Sequence, residues 1–558
     1  MKYNITQKQE FEKSFKAMKL YAMRWIQGWS TLSDYIDQTR GIFNNNRMKI
    51  GQMINHKLLI DSHATNAKRI TASGMQTGMT DPARPWFKLT MDNFLLDNVP
   101  GVREWLDEVS RRMLEIMNKS NIYKTFQNCY DELVEFGTGC FLILEDYDDV
   151  IRGRSFTCGE YFLRVDEKGR INAFAREFEM TVGNLVKEFG YESCSSTVKT
   201  HFNNNQIDIN IKCNHLIEAN DTRIAGREDF KNMPFRSIYW ESGGEGILSH
   251  RGYKRFPVIA PRWDAITTDM IYGYGPSWHA IGDIKQLQIK VKDYLIAEEK
   301  AYNPPKVEDS SIVGHSNTLP GGVTKSSLNV QNSGVRAAYQ IDPRLREMQE
   351  SIQLLYQKIN KLMFSDLFLM ISSMPVNSTT TAFEIATRKQ EQMMMLGPIL
   401  HNLNEEMHAR SIDLIFDIML DNGLIPEPPE GIEGHEVRIQ YISILAQAQR
   451  AMGVQDIERT LAYVGQAMSI DPNARFVMDV QESIREVASL NGIQAKLIVP
   501  KEIVDAQIEA AVEQQNQAMA LQAGVEMAGA AKDLGTTPAG QGSVLDNLSA
   551  TAQAQAGG

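Results

Sequence analysis

The chain predicts an α+β fold, mainly α, with long helices and a small β-barrel-like unit, and three observations carry that prediction. Two stretches, 276–303 and 344–371, repeat apolar residues at spacings of three and four, the period of a packed helix face. Between 137 and 262 the period drops to two, the alternation of half-buried strands. The totals agree: 558 residues, 43% hydrophobic and 23% charged, an ordinary globular composition with room for about two to four domains.

In chain order, 6–55 reads as helix. Arg24 and Trp25, with Trp29 one turn on, have the composition of a nucleic-acid contact, but burial of such aromatics in a helix interface is the commoner use. A second helix is expected over 56–73, where Leu58, Ile60, Ala64, Ala67 and Ile70 recur beside small residues that allow close packing. Gly74 and Gly78 read as its stop. Pro82 and Pro85 then hold an extended segment ending in Trp86-Phe87, a pair expected to be buried. As a phosphate cradle this segment fails, having neither GxGxxG nor GxxxxGK[ST] spacing. Helices follow over 102–136.

After Gly137, strands are expected at 140–145, at 160–165 and 170–178 as a hairpin about Asp166-Glu167-Lys168-Gly169, and at 207–217, 235–241 and 253–261. A short helix over 181–189, stopped by Gly190, interrupts them. About five or six such strands suggest a small barrel.

Gly275-Pro276 opens the first long helix, because proline suits the first helical position. Ile281, Ile284, Val291 and Leu295 share one face, and Asn303-Pro304-Pro305 ends the run. Asp342-Pro343 opens the second, and Leu345, Met348, Ile352, Leu355, Ile359 and Leu362 follow as an a/d seam. Gln288 and Asp366 interrupt the seams. At 1.5 Å per residue each rod would be about 40 Å long. The 38 residues between them, 305–342, hold little that could form a core. Weak strands near Lys306-Val307 and over 335–341 flank a Leu319-Pro320-Gly321-Gly322 turn. Such a lobe either borrows its core from another copy of the chain or is a loose surface insertion.

Residues 372–380 make an uncharged polar loop, and Thr381-Ala382-Phe383-Glu384 is a capping box opening the next helix. Gly397-Pro398 should kink that helix before it ends near 421. Met393, Met394 and Met395 read as adaptable packing residues. His401, Glu405 and His408 share a face at i, i+4 and i+7, but a metal site would need further ligands nearby, and solvated or hydrogen-bonded side chains are the expectation. A strand is expected at 436–442. Helices over 444–490 divide at Asp471-Pro472, a Gln- and Ala-rich helix spans 501–530, and 535–558 has the composition of unstructured chain.

A net charge of −11 argues against a broad nucleic-acid grip, which counterion release normally drives through basic residues. No apolar window is long enough to cross a membrane, and 1–21 lacks the apolar stretch of a secretion signal. The five cysteines have no CxxC spacing and read as reduced structural thiols.

The Phe256-Pro257 to Arg262-Trp263 segment, the Tyr272-Gly273-Tyr274-Gly275-Pro276 turn and Asp283-Ile284-Lys285-Gln286-Leu287 together resemble the portal (head-to-tail connector) family of short-tailed bacteriophages. Ser73-Gly74-Met75 through Pro85-Trp86-Phe87-Lys88-Leu89, and the Gly169-Arg170 hairpin followed by Phe178-Glu179-Met180-Thr181, match further family signatures in order, over roughly 20–440. The resemblance implies a ring, commonly of twelve copies, around a DNA channel. It implies a wing over 1–275, stem helices at 276–303 and 344–371, and a clip over 304–343 containing Lys306, Val307, Leu319, Val335, Arg336 and Tyr339. The loop at 372–381 resembles the tunnel loop, with Ser373, Met374, Pro375, Val376, Asn377, Ser378, Thr379 and Thr380 facing the channel. A lack of cations there suits DNA that must slide. Then come a long kinked helix returning to the wing (382–445), a crown by position (446–500) and the C-terminal helix and tail (501–558). Implied partners are further copies of the chain, passing double-stranded DNA held weakly and without sequence preference, a separate terminase, a tail adaptor, and the major capsid and scaffolding proteins. The implied place is the portal vertex of the virion, after assembly in the host cytoplasm. No membrane, cofactor, metal or catalytic residue is expected.

The rival class is an enzyme, such as a nucleotide-driven packaging motor subunit. Its best string, Gly321-Gly322-Val323-Thr324-Lys325-Ser326, puts Thr324 where a glycine is required, and no apolar strand precedes it. A filamentous coiled-coil scaffold fits the seam but not the β unit.

Overall fold

The computed structural model describes residues 5–43, 57–91, 101–304 apart from 225, 228 and 245, then 306–307, 336–337, 344–372, 390–429 and 437–443, with scattered residues from 445 to 510. Two compact units divide the chain, Met1–Asp456 and Ile457–Gly558. The second is described only at isolated residues, most of them helical.

In the first unit, α1 (Ile5–Tyr35) buries Phe11, Phe15, Met18, Ala22, Trp29 and Leu32 along one stripe, the spacing of an amphipathic helix. It does not continue to residue 55 as expected. The Asp37 carboxylate accepts the Thr39 N–H at 3.1 Å and the Thr39 hydroxyl at 2.5 Å, which turns the chain. Residues 44–56 lie outside the described set. The second helix, α2 (His63–Met79), starts later than expected and runs straight through its glycines. A Cβ on Gly74 would lie 2.3 Å from the Phe368 side chain. That glycine is therefore a close-approach residue and not a stop. The strand β1 (Phe87–Met91) follows a buried Trp86, and then come α3 (Val102–Lys119) and the almost wholly buried α4 (Ile122–Phe136).

β2 (Cys140–Asp146) and β3 (Val150–Phe156) form a hairpin. β3 has no counterpart among the strands expected from the sequence. In the fold Gly153 is where α4 approaches: its N–H donates to Asn121 Oδ1 at 2.7 Å, and Asn121 Nδ2 donates back to its carbonyl at 2.8 Å. Next come β4 (Tyr161–Val165), β5 (Ile171–Thr181), α5 (Val182–Phe189), α6 (Ser196–Asn203), β6 (Asn210–Ala219), β7 (Phe235–Glu241), β8 (Ile247–Tyr253) and β9 (Val258–Ile259). β4 to β8 make a five-stranded antiparallel meander in sequence order, and β3-β2-β9 make a second sheet.

The expected barrel does not close. Among the described residues β4 and β8 remain the edges of an open sheet. A sheet closes on itself to bury a face that nothing else covers, and here both faces are covered. On one, Phe15 of α1 packs edge-on to Phe162 and Trp240 at 5.7 Å each, and Lys19 pairs with Glu177 at 2.7 Å. On the other, Phe156 of β3 lies 5.1 Å from Phe174, while Val182, Leu185 and Val198 of α5 and α6 enclose Phe178, Cys213 and Leu248.

The chain then enters α7 (Pro276–Tyr302), the short strands β10 (Lys306–Val307) and β11 (Arg336–Ala337), which pair antiparallel, and α8 (Leu345–Leu362). The second rod, expected to run to 371, breaks at Phe364, whose φ of 59° is left-handed. Its ring is buried 6.2 Å from Trp263, and Thr71 Oγ1 donates to the Met363 carbonyl at 2.7 Å. Packing against α2 thus overrides helix continuation, and α9 (Ser365–Ser372) restarts beyond. α10 (Gln390–Leu403) passes through Pro398, widens into a π turn at Asn404–Ala409 and continues as α11 (Arg410–Asp421). Finally β12 (Val437–Tyr441) pairs antiparallel with β1.

Candidate functional site

The two rods grow from one tightly built root. Gly137 caps α4 with φ 87° and sits against the 273–275 backbone, where an added Cβ would lie 2.3 Å from the Gly273 carbonyl oxygen. Thr138 Oγ1 accepts the Gly273 N–H at 2.8 Å, the Gly137 carbonyl accepts Trp263 N–H at 2.9 Å, and Trp278 Nε1 donates to the Phe136 carbonyl at 2.9 Å. Arg262 is nearly buried. Its N–H and Nε donate to Glu406 at 2.9 and 3.1 Å, and its two terminal nitrogens reach the Met270 and Gly169 carbonyls at 2.6 and 3.0 Å. One arginine therefore ties the π turn, the β4–β5 hairpin and the root together. Tyr272 fills the centre, its ring 4.9 Å from Trp29 and its hydroxyl accepting the Leu163 N–H at 3.2 Å.

The turn after α1 shares a buried ionic cluster with α2 and α4. Lys68 Nζ lies 2.6 Å from Asp37 and 2.8 Å from Glu135, and Arg40 reaches Asp131 at 2.9 Å and Glu132 at 3.1 Å. Burial would raise Asp37, but the charge and hydrogen bond of Lys68 outweigh it and hold the carboxyl at about 2. Burial pushes Glu135 up to about 8 against the attraction of Lys68, and the charge of Asp37 adds to the rise.

The N-terminal approach to α2 clamps both rods. Gln288, buried within α7, accepts the Ile60 and Asp61 N–H groups at 2.8 Å each and donates to the Asp61 carbonyl at 2.8 Å. Asp61 Oδ2 accepts the Tyr356 hydroxyl of α8 at 2.6 Å. His63 stacks on Tyr356 at 4.0 Å and hydrogen-bonds Asn360 at 2.9 Å. The residue that interrupts the apolar seam is thus the fastener that holds the rod. No signal in the sequence marks Asp61, His63 or Tyr356 for this work.

The seam residues divide by position. Ile284, Ile352, Leu355 and Ile359 are buried at the root, while Ile281, Val291, Leu345 and Met348 are half-buried. Leu295 and Leu362 are exposed. Of the residues expected in the lobe, Lys306, Val307 and Arg336 fall on β10 and β11. Leu319, Val335 and Tyr339 lie outside the described residues, as do all eight loop residues Ser373, Met374, Pro375, Val376, Asn377, Ser378, Thr379 and Thr380.

His401, Glu405 and His408 do not converge. His401 pairs with Glu405 at 3.4 Å on the surface. The π turn sends His408 into the core, between the Tyr130 hydroxyl and Asn404 Oδ1 at 2.9 Å each, and burial pulls its pKa down to about 3. Among the described residues no cluster of three His, Cys, Asp or Glu could hold a metal, and no helix is long and apolar enough to cross a membrane. All five cysteines are free and buried.

Comparison with known proteins bears on the same span. The family described as "Bacteriophage head to tail connecting protein" matches residues 8–499. The "Portal protein" of Salmonella phage epsilon15 is 36% identical over 554 residues, covering 98% of this chain and 99% of that one. The "Probable portal protein" of Bordetella phage BPP-1 is 34% identical over 479 residues, covering 85% of this chain and 86% of that one. With the motifs around the root, the rods they open and this match along nearly the whole length, the chain belongs to the phage portal family, the head-to-tail connecting proteins.

Proposed function

We propose that copies of this chain, twelve by the habit of the family, close into a ring at one capsid vertex. Double-stranded DNA is driven inward through the ring by a separate terminase and later leaves by the same channel. In this reading residues 1–275 are the wing, which meets the major capsid and scaffolding proteins during assembly in the host cytoplasm. α7 and α8 are the stem, 304–343 is the clip on which terminase and then the tail adaptor dock, and 372–381 is the tunnel loop. Residues 382–445 return to the wing, 446–500 form the crown, and 501–558 follow as C-terminal helix and tail. The protein does no chemistry of its own here.

One observation carries the reading. From Ile289 to Tyr302 no side chain of α7 is buried, yet Ile289, Leu295, Ile296 and Tyr302 are apolar and exposed, as are Leu354 and Leu362 on α8. Rods that present apolar side chains to water bury them when the rods of a neighbouring copy lie alongside, and closed rotational symmetry lets every copy do so at once. The formal charge of −11 per copy also suits a channel that must not hold phosphates.

Sedimentation and negative-stain imaging of the full chain test this. Rings with a central hole, far above the 63.0 kDa monomer, are the expected result. A folded monomer that persists at micromolar concentration, with capsid and scaffolding proteins present, overturns it.

A further inference from the structure

We propose that within this ring the tip of the β2–β3 hairpin of one copy docks on the outer face of α1 of the next copy. The inference rests on the ring reading and adds a second contact, remote from the stem. The tip is Asp146-Tyr147-Asp148-Asp149, and the Tyr147 side chain is fully exposed. It is braced rather than loose. Asp146 accepts the Asp148 N–H at 3.3 Å and Arg152 at 3.2 Å, and Asn422 Nδ2 holds Glu145 at 2.8 Å. The tip closes on Val150 at φ 68°, a backbone state that a β-branched residue rarely adopts and that the surrounding fold must impose. A rigid projection carrying one aromatic ring between acids is built to insert into something basic and aromatic.

α1 offers that surface. Lys13, Lys16, Leu20, Met23 and Arg24 follow one another along its exposed side, with Leu20 65% and Met23 57% exposed. Lys19 is already engaged by Glu177 and Lys8 by Glu12, so Lys13, Lys16 and Arg24 are the charges the face presents. The stripe runs into an open cleft of about 450 Å3 lined by Arg24, Trp25, Gly28, Tyr274 and Trp278 among others. Trp25 lies 5.0 Å from the Tyr274 ring and 5.8 Å from the Trp278 ring, giving aromatic walls beside a guanidinium.

The tip and the aromatic cleft are set apart on one copy. Trp278 is pinned to Phe136, next to the point where the chain enters β2, and the seven residues of β2 then carry the tip about 20 Å away. Two different, mutually complementary patches set apart on one subunit are what a head-to-tail ring contact requires.

The test uses the full chain with Tyr147→Cys and Gln27→Cys together, assembled and then treated with a short bis-maleimide. The native cysteines are all buried, so the two new thiols carry the reaction. A covalent ladder that climbs past the dimer on a denaturing gel is expected, and it is lost in either single variant, where one new thiol per copy stops at a dimer. Asp148→Cys with Thr31→Cys is a second pair should the first fail to assemble. Rings with no ladder from either pair overturn the docking and leave the ring standing. That is the outcome if another protein takes the tip or a phosphate backbone takes the stripe. Absence of rings from the unmodified chain overturns both.

Discussion

Glu135 and Asp37 compete for one ammonium, and Asp37 wins. Lys68 touches both, yet Asp37 is held at about 2 and Glu135 is pushed up to about 8, with Glu135 Oε1 finding no hydrogen-bond partner among the described residues. An acid whose folded pKa lies above its unfolded one keeps a proton that the unfolded chain has lost. Its contribution to stability is full below the unfolded carboxylate range and drains away as pH rises through about 8. Glu135→Gln cannot ionise, so the wild type should lose up to about 1.4 kcal/mol per pH unit relative to that variant between about pH 5 and 8. Unfolding curves collected across that range check this, and parallel profiles would show a Glu135 that is ionised throughout. Little at this scale is legible in the sequence. Arg262-Trp263 stands out as a motif, but its partner Glu406 lies 144 residues further on. The π turn that presents Glu406 also turns His408 inward, away from the face that i, i+7 spacing assigns it. Pairings made by tertiary approach leave no local pattern to read.

At the scale of elements the periodicities carry far. The rod α7 begins at Pro276 and ends at Tyr302 as the proline punctuation indicates, and the hairpin at 161–181 follows its turn residues. Misreadings cluster where packing overrules local preference: the glycines inside α2, the break at Phe364, and a sheet that stays open because α1, α5 and α6 cover it. Two glycines, one packed against the rod's root and one inside the rod, separate these cases. Gly137 holds φ 87° against the Gly273 carbonyl, so Gly137→Ala costs about 1–3 kcal/mol in backbone strain before any clash is counted. Gly282 sits in mid-helix with nothing within 4 Å of the place an alanine methyl would take, so Gly282→Ala should raise stability by up to about 1 kcal/mol. Opposite shifts in melting temperature are the expected pair of results. A tolerated Gly137→Ala would mean that the root is not a rigid joint.

In the proposed assembly the stem and the loop make separable demands. Leu295 is 48% exposed in the single copy, so Leu295→Asp should leave the folded monomer's melting temperature nearly unchanged while shifting sedimentation from rings towards smaller species. Equal loss of fold and ring would place Leu295 in the core instead. Val376 and Asn377 lie outside the described residues, and their assignment to the channel rests on their place between the rods and α10. A duplex presents a charge about every 1.7 Å along its axis. Lysines at both positions in every copy would surround it with cations that must be broken from phosphates at each step of translocation. Val376→Lys with Asn377→Lys should therefore slow packaging with purified terminase while leaving rings intact. Added salt should relieve part of the brake by screening and by reducing counterion release, which a misfolded loop would not reproduce. Unchanged packaging by intact rings would move the channel-facing segment elsewhere in the chain.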